Sequence, residues 1–287
     1  MKSILSHSIR FALVAQFAVL AAASHAQWVA TDLHPASMRD SWGYGGSAGS
    51  QTGYAQTTSG SYHAVTWAGS SASFVDLNPT GFTNTYAFRS SGGKQIGFGT
   101  GSATGGFDHA IVWNGSATSY TDLNPTFVDN SYGQGMDGNN AVGYGSMGTS
   151  FRAILWNGLT SGGAVDLTPA GFDYAIAVGV SGNTQVGYGS ATSTGNVDHA
   201  LLWTGSAASA IDLGPAGMSY SYAYAASGSQ QVGVAYDLSF NSYAALWSGS
   251  ASSYVNLSPI GSDGGAAYDV RNGTQVGVSY YGSTSKA

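Results

Sequence analysis

The 287-residue sequence contains no cysteine and no glutamate, and charged residues make up only 8% of it. Without cysteine, the chain cannot be a small domain held together by disulfides, and catalysis by a thiol is excluded. The net charge of −6 provides no basic surface for nucleic acid or for an anionic membrane. Neither of these partners is therefore predicted.

Strong helix formers are also scarce, because glutamate is missing, there are only three lysines, and 43 glycines interrupt the chain. Apolar residues nevertheless make up 43% of the sequence and aromatic residues 13%, which favours a packed fold over disorder. The abundant Val, Tyr, Phe, Trp and Thr are residues that favour strands. The composition predicts an all-β protein.

No apolar run is long enough to span a bilayer. The longest one, residues 11–23, follows the positive charges of Lys2 and Arg10 and precedes small residues at Ser24 and Ala26. This is the pattern of a secretory signal peptide. We therefore predict a signal peptide over residues 1–26 and a single domain over residues 27–287 that is secreted, at the cell surface or in the periplasm.

One phrase returns with small changes along nearly the whole chain. A good copy is DHALLW at residues 198–203, followed by IDLGP at residues 211–215. The tryptophans that end the first part are 46, 43, 47 and 44 residues apart, and they are Trp67, Trp113, Trp156, Trp203 and Trp247. The Asp-Leu pairs are spaced alternately by 44 and 46 residues, which suggests loops of two lengths, and they begin at Asp32, Asp76, Asp122, Asp166 and Asp212, with Asn256 in the last copy.

A third anchor, Gln185-Val186-Gly187 and its copies, keeps the same step of about 45 residues. In the unit that starts at Gln185, the segments 185–189, 199–203, 211–213 and 220–226 have strand character and are separated by turn residues. Both faces of the second segment are apolar, as in a sheet covered on both sides. Four short strands in this length are typical of one antiparallel propeller blade.

The predicted fold is therefore all-β and β-propeller-like, with about six four-stranded repeats, the last of them incomplete. An open β-solenoid is the competing architecture, but its rungs usually need fewer residues. The chain ends at Lys286 and Ala287, where a sixth His-Ala-x-x-Trp strand is expected to begin. Two explanations are open: the sequence is truncated, which we favour, or residues 27–33 close the ring beside the last strands.

The order His-Ala-x-Leu-Trp, Asp-Leu and Gly-x-x-Gln-Val-Gly resembles the HAF family of bacterial extracellular repeats, named for a His-Ala-Phe triplet. In the units that keep the histidine the third residue is Val, Ile or Leu rather than Phe, and Arg152 and Tyr243 replace the histidine in two units. The resemblance covers residues from about 40 to 281. It implies an exported, propeller-like repeat protein and does not imply any particular reaction.

The repeated residues are predicted to be structural. The tryptophans would be wedges between blades, and each Asp of an Asp-Leu pair would cap a turn or accept a hydrogen bond from a neighbouring His, Trp or backbone amide. The histidine anchors are His63, His109 and His199. A metal site at Asp108-His109 or Asp198-His199 is disfavoured because the ligands would lie one per blade, and no metal or cofactor is predicted.

Seven aspartates lie outside the repeat pattern and are candidates for a glycosidase, which needs two convergent carboxylates. They are Asp40, Asp129, Asp137, Asp173, Asp237, Asp263 and Asp269. A set of tyrosines in or beside the fourth strand could instead stack on sugars or on a partner protein. They are Tyr86, Tyr132, Tyr174, Tyr220, Tyr222, Tyr224 and Tyr268.

The sequence thus predicts an exported, non-enzymatic binding or surface-interaction module. Its partner would be a protein or a carbohydrate, held at one face of the propeller where the repeats diverge. The alternative is a secreted carbohydrate-active enzyme, a glycosidase or lyase, built on the same fold.

Overall fold

The computed structural model describes residues 30–47 and 49–287 and contains six antiparallel β-sheets. The described sheets belong to one compact unit, Asp32–Ala287. The predicted signal peptide, residues 1–26, lies outside the described residues. Within the part that is described, no helix is long and apolar enough to cross a membrane.

Five sheets have four strands and the sixth has three, and the strands of each sheet follow one another along the chain. Sheet 1 contains β1 (Asp40–Ser47), β2 (Ser50–Gln56), β3 (Tyr62–Trp67) and β4 (Val75–Asp76). Sheet 2 contains β5 (Phe82–Ser91), β6 (Lys94–Gly101), β7 (His109–Trp113) and β8 (Tyr120–Asp122). Sheet 3 contains β9 (Asn130–Asp137), β10 (Asn140–Met147), β11 (Ser150–Asn157) and β12 (Ala164–Asp166).

Sheet 4 contains β13 (Phe172–Ser181), β14 (Thr184–Ala191), β15 (Asp198–Trp203) and β16 (Ile211–Asp212). Sheet 5 contains β17 (Met218–Ser227), β18 (Gln230–Asp237), β19 (Ser242–Trp247) and β20 (Val255–Asn256). Sheet 6 contains β21 (Gly264–Arg271), β22 (Thr274–Tyr281) and β23 (Thr284–Lys286). Single 3₁₀ turns lie in the connections at Ser71–Ser73, Ser102–Thr104, Ser161–Gly163, Thr192–Thr194, Ala207–Ser209 and Ala251–Ser253.

The first strands of all six sheets, β1, β5, β9, β13, β17 and β21, line one cavity. Each first strand also packs against the first strand of the next sheet. The sheets are therefore arranged around a common axis, and the predicted propeller-like fold is confirmed. Among the described residues, no comparable packing joins sheet 6 to sheet 1.

Each sheet begins one strand earlier than the predicted repeat unit, because Gln185 lies in the second strand of sheet 4 and not in the first. Residues 220–226 were predicted to be the fourth strand of the unit that starts at Gln185, but they lie in β17, the inner strand of the following sheet. The fourth strand is the two-residue β16. This assignment was wrong because a tandem repeat does not mark in its sequence where one sheet ends and the next begins.

The alternating spacing of the Asp-Leu pairs is explained by loops of two lengths. In sheets 2 and 4 the connection between the second and third strands carries a 3₁₀ turn, Ser102–Thr104 or Thr192–Thr194. In sheet 3 the same strands, β10 and β11, are joined by a tight turn. The longer loops fall in the two repeats with the 46-residue spacing.

The five repeated tryptophans lie between sheets and are at most 2% exposed. Between sheets 3 and 4, for example, Trp203 is in one cluster with Val142, Leu155 and Ala175. Trp156 donates from Nε1 to the carbonyl oxygen of Leu123 at 2.8 Å. The Nε1 atoms of the other four, Trp67, Trp113, Trp203 and Trp247, have no hydrogen-bond partner among the described residues.

The third anchor begins with Gln, or with Ala141 in sheet 3, and the residue that follows it shows which sheets are covered by a neighbouring sheet. In sheets 1 to 5 this residue is fully buried beneath the next sheet, and its identities are Thr52, Ile96, Val142, Val186 and Val232. In sheet 6 it is Val276, which is 58% exposed. Sheet 6 therefore presents an uncovered face that the other five sheets bury.

A hydroxyl group accepts the amide proton of the repeated Ala in each of the first five sheets. Between sheets 1 and 2, the Ala64 amide donates to Thr85 Oγ1 at 2.9 Å, and Thr85 donates to Asn78 Oδ1 at 2.8 Å. Ser131 and Ser221, at the same place on the inner strands of sheets 3 and 5, accept the corresponding amides of sheets 2 and 4. Because these groups are buried, the bond satisfies an amide that has no water available.

In the two remaining interfaces the hydroxyl comes from a different position. The inner strand has Ala175 in sheet 4, and there Thr168 Oγ1 accepts the Ala153 amide at 3.1 Å. Ser258 Oγ accepts the Ala244 amide at 2.9 Å in the same way. Two positions seven residues apart therefore supply the same hydrogen bond in different repeats.

Each inner strand contains a β-bulge opposite the glycine of the third anchor. At Gly97 a Cβ would lie only 1.8 Å from the carbonyl oxygen of Tyr86, so glycine is required there. At this point the register skips one residue in every inner strand, and β5, β13 and β17 have a second shift near their first residue. The residues skipped at the bulge, here called the bulge residues, are Tyr44, Phe88, Gln134, Val178, Tyr224 and Tyr268.

Candidate functional site

The two ends of the sheets differ in what they carry. Because consecutive strands are antiparallel, the connections between second and third strands and those leading to the next sheet lie at one end, which we call the loop end. The turns between first and second strands and the connections between third and fourth strands lie at the other, the turn end. The repeated His and Asp residues lie at the loop end.

At the loop end the repeated histidines are paired with the aspartates of the Asp-Leu motif. His63 Nδ1 lies 2.7 Å from Asp76 Oδ2, and His109 Nδ1 lies 2.6 Å from Asp122 Oδ2. The other carboxylate oxygen of each aspartate accepts the backbone amide two residues later, at 2.8 Å. His199 and Asp212 repeat both interactions. The pairs hold the third strand to the end of the fourth.

In the two units where another residue replaces the histidine, the Asp or Asn still accepts the amide two residues later, but the side-chain pair with the third strand differs. Arg152 Nη1 donates to Asp166 Oδ2 at 3.1 Å. In sheet 5 Asn256 Oδ1 accepts the amide of Ser258 at 2.8 Å, whereas Tyr243 donates to Asp237 instead. Asp32 likewise accepts the His34 amide at 2.8 Å. Within the described residues, no three His, Cys, Asp or Glu side chains are grouped to hold a metal ion.

Aromatic rings form a continuous belt on the first two strands of sheets 1 to 3. Neighbouring ring centroids are 4.8 to 5.1 Å apart from Trp42 through to Tyr144. This aromatic belt consists of Trp42, Tyr54, Tyr86, Phe98, Tyr132 and Tyr144. Ile176 takes the next inner-strand position, and Tyr188 and Tyr222 follow with centroids 4.8 Å apart. Trp42 is exposed and the other rings are half-buried, so the belt combines packing with accessible aromatic surface.

Two aspartates at the loop end bind tyrosine hydroxyls. Tyr132 donates to Asp108 Oδ2 at 2.8 Å, and Tyr222 donates to Asp198 Oδ2 at 2.9 Å. Tyr174 also donates to Asp198. Burial first, and then the hydrogen bond to the carboxylate, raise the pKa of all three phenols above the ordinary value. These tyrosines are therefore neutral donors held in fixed orientations.

The axial cavity lies below the belt, toward the turn end, and has a volume of about 590 Å³. This volume is within the range of small-molecule binding sites. The bulge residues Tyr44, Val178, Tyr224 and Tyr268 line it, together with serines near the turns. Tyr44 stacks on Tyr54 of the belt with centroids 5.3 Å apart, so the belt and the cavity are continuous. The charged residues that line the cavity are Arg89, Asp137, Asp269 and Arg271.

The seven aspartates outside the repeat are dispersed. Asp40, Asp129, Asp173, Asp237 and Asp263 lie at or near the loop end of five different sheets. Only Asp137 and Asp269 line the cavity, and they come from sheets 3 and 6. Asp137 Oδ2 accepts the Gly182 amide at 2.7 Å. Five of the seven candidates are therefore spread around the loop end, and two share the cavity.

Among the described residues, the large apolar side chains that are exposed in loops lie at the loop end. Leu238 and Phe240, between β18 and β19, are 78% and 68% exposed. The others in this set are Phe107 in the second connection of sheet 2, Met147 and Phe151 in the strands that flank the second connection of sheet 3, and Ile260 before sheet 6. The described connections at the turn end contain no exposed large apolar residue, although the fourth strands that follow them begin with the exposed Val75, Tyr120, Ile211 and Val255. This set of six is here called the apolar loop set.

No protein-family model matches the chain, and no curated protein matches it. Among solved structures, it is similar to an acylaminoacyl peptidase in complex with Z-Gly-Gly-Phe-chloromethyl ketone, with 9% identity and a TM-score of 0.54 over 84% of this chain and 42% of that one. It is also similar to a putative TolB from Agrobacterium tumefaciens, with 15% identity and a TM-score of 0.49 over 74% of each chain.

A third similar structure is the β-propeller domain of the Trilobed protease from Pyrococcus furiosus, with 9% identity and a TM-score of 0.41 over 87% of this chain and 95% of that one. The chain spans less than half of the peptidase it matches. At these identities the likeness concerns the fold alone. The resemblance to HAF repeats stays a prediction.

The sequence identified the residues of the framework but not the site. The repeated Trp, His and Asp residues lie where sheets and strands are joined, and they do not converge on one place. The belt was missed because the tyrosines were assigned to an outer strand instead of the inner one. The register of the inner strands relative to Tyr54, Phe98 and Tyr144 would have shown it, since these residues occupy the same position after the third anchor.

Proposed function

We propose that this chain is an exported binding module that contacts a protein partner through the apolar loop set at its loop end. The observation that carries the proposal is the asymmetry of the ends, because among the described residues the large apolar side chains that are exposed in loops lie at the loop end. Large apolar side chains that are exposed on one end of a protein are typical of interaction surfaces. Export is supported by the signal-like pattern of residues 1–26.

The arrangement of the framework supports the same function. The His-Asp pairs and the hydroxyl bonds to the Ala amides fix the ends of the strands, so the loops start from rigid positions. Loops on a rigid scaffold can differ between repeats without loss of the fold. Sheets 2 and 4 have long connections, and sheet 5 exposes Leu238 and Phe240 in its own.

The test is photo-crosslinking from defined positions in cells that express and export the full chain. A photoreactive amino acid at Phe240 or Phe107 is expected to give an adduct with one protein, whereas the same group at Ile211 is not. Ile211 is a matched control because it is an exposed apolar residue on an outer strand and does not belong to the apolar loop set. Equal adducts from Ile211 and Phe240, or adducts only with a second copy of the chain, would contradict the proposal.

A variant supplies the second arm. The triple substitution Leu238→Ser, Phe240→Ser and Ile260→Ser is expected to weaken binding of the identified partner by about a hundredfold, since three exposed apolar side chains contribute to the contact. The control pair Ile211→Ser and Val255→Ser removes exposed apolar side chains from outer strands and is expected to leave binding unchanged.

A further inference from the structure

Arg89 is a solvent-exposed cation of the axial cavity that forms no ion pair with a described carboxylate. Its side chain is accessible to water in the axial cavity. Partial desolvation by the surrounding protein lowers the pKa of the guanidinium, and the negative charge of Asp269 raises it. Its Nη1 donates to the backbone oxygens of Tyr44 and Phe88 at 3.2 and 3.0 Å. Among the described residues, no carboxylate lies within 4 Å of it. A guanidinium that is not paired with a carboxylate of the protein has donors left for an anionic ligand.

Asp269 is the complementary group in the same cavity. One of its oxygens, Oδ1, accepts the amide of Val270 at 2.9 Å. Its other oxygen has no hydrogen-bond partner among the described side chains and amides. Arg89 and Asp269 therefore influence each other electrostatically without contact, and space remains between them for a ligand with both acceptor and donor groups.

The aromatic lining of the cavity provides flat apolar surface beside these charges. Tyr44 and Tyr268 are 48% and 52% exposed, and Tyr268 stacks on Tyr224 with centroids 5.9 Å apart. Hydroxyl groups of Ser47 and Ser90 are also present in the lining. Aromatic faces next to carboxylate, guanidinium and hydroxyl groups suit a ligand with an apolar ring face and a polar edge.

We propose that the axial cavity binds an acidic saccharide, a pyranose that carries a carboxylate. The carboxylate binds the free donors of Arg89, the ring lies against Tyr44 or Tyr268, and a sugar hydroxyl donates to Asp269. A guanidinium is matched to a carboxylate because it offers parallel N–H donors. The site is separate from the apolar loop set, so this proposal does not depend on the proposed protein partner.

The experiment uses the full exported chain and three probes observed by ligand-based NMR titration: glucuronate, glucose and acetate. Glucuronate is expected to bind about tenfold more tightly than glucose, which lacks the carboxylate, and about tenfold more tightly than acetate, which lacks the ring. Saturation transfer is expected from the rings of Tyr44 and Tyr268. Equal binding of glucose, equal binding of acetate, or no binding of glucuronate would overturn the proposal.

Variants locate the site. Arg89→Gln is expected to weaken glucuronate binding about tenfold and to leave glucose binding nearly unchanged, with Arg89→Lys between the two. Arg39→Gln is the matched control, since Arg39 lies outside the cavity and is paired with Asp40 at 3.4 Å. Glucuronate binding that is unchanged in a folded Arg89→Gln protein, or equally weakened by Arg39→Gln, would refute the assignment.

The loop-end variant separates the two proposals. The Leu238→Ser, Phe240→Ser and Ile260→Ser protein is expected to bind glucuronate as the wild type does. If Arg89→Gln fails to fold, Arg89→Lys and the position of the saturation transfer decide the question. Transfer from Phe240 or Leu238 in place of Tyr44 and Tyr268 would show that the saccharide is not in the cavity.

Discussion

The inner strands both contact the neighbouring sheets and line the axial cavity. Residues that fix the contacts between strands and sheets are nearly the same in every repeat, whereas the residues beside the axis differ from one repeat to the next. Glycine occupies the third-anchor position in all six sheets, because a Cβ there would collide with a backbone oxygen of the inner strand. The bulge residue on that inner strand is aromatic in Tyr44 and Phe88 but is Gln134 and Val178 in the next two sheets. Backbone geometry therefore fixes the framework, while positions that face the axis can specialise.

The same contrast separates the two ends. The turn end carries short glycine turns and connections between third and fourth strands that resemble one another from sheet to sheet, whereas the loop end carries connections of different length and the apolar loop set. A change in the framework should therefore reduce stability and leave binding intact until the protein unfolds. A change at the axis or at the loop end should weaken binding and leave the stability of the fold nearly unchanged.

The largest effect on stability is expected for Gly53→Ala. The added Cβ would lie 1.8 Å from the carbonyl oxygen of Trp42, so the backbone of β1 or β2 must move. We expect a loss of about 3 kcal/mol in the free energy of unfolding, measured by urea denaturation. Gly43→Ala is the control in the same sheet, because a Cβ there meets nothing within 4 Å. Equal losses for the two variants would contradict the close-approach argument.

A somewhat smaller loss is expected for Thr85→Ala, which leaves the Ala64 amide and Asn78 Oδ1 buried without partners. The expected loss is about 2 kcal/mol. The double variant Asn78→Thr, Thr85→Ala copies the Thr168 and Ala175 arrangement and should recover at least about half of that loss. A double variant no more stable than Thr85→Ala would show that the two positions are not equivalent.

The tryptophans permit a finer test within the framework. Trp156→Phe removes the hydrogen bond from Nε1 to the Leu123 oxygen, whereas Trp203→Phe removes an N–H that has no partner among the described residues. Both substitutions change the buried volume equally, so Trp156→Phe should cost about 1 kcal/mol more. The comparison requires only thermal or urea unfolding of the two variants. If Trp203→Phe is the more damaging of the two, packing and not hydrogen bonding dominates.

The smallest effect is expected at the loop end and appears only at high pH. Because the folded-state pKa of Tyr174 and Tyr222 is raised, their contribution to stability is complete below the unfolded value of about 10 and is lost as the pH rises above it. Asp198→Asn removes the carboxylate that adds to this shift, so phenolate should form at lower pH in that variant. The ultraviolet absorbance of phenolate measures this, and Asp173→Asn is the control. Superimposable curves for Asp198→Asn and wild type would contradict the role of Asp198.

The repeat framework could be predicted from the sequence because its residues recur at a regular spacing. The axial site could not be predicted, because its residues do not recur in this way. The spacing of Trp67, Trp113 and Trp156 indicated stacked four-stranded sheets, and the alternating Asp-Leu spacing indicated loops of two lengths. The β-bulge shifts the inner strand by one residue, and no local pattern around Tyr44 or Tyr268 reveals that shift. Arg89 and Asp269 are far apart along the chain, so their shared cavity follows only from the ring of sheets.

The interchangeable hydroxyl of Thr85 and Thr168 has a consequence for how such repeats diverge. A repeat that carries a hydroxyl at both positions could lose either one and keep the Ala amide paired, so neighbouring copies can drift toward different residues through steps that are each tolerated. Two copies of one ancestral unit can in this way lose their likeness in sequence while their backbones remain superimposable.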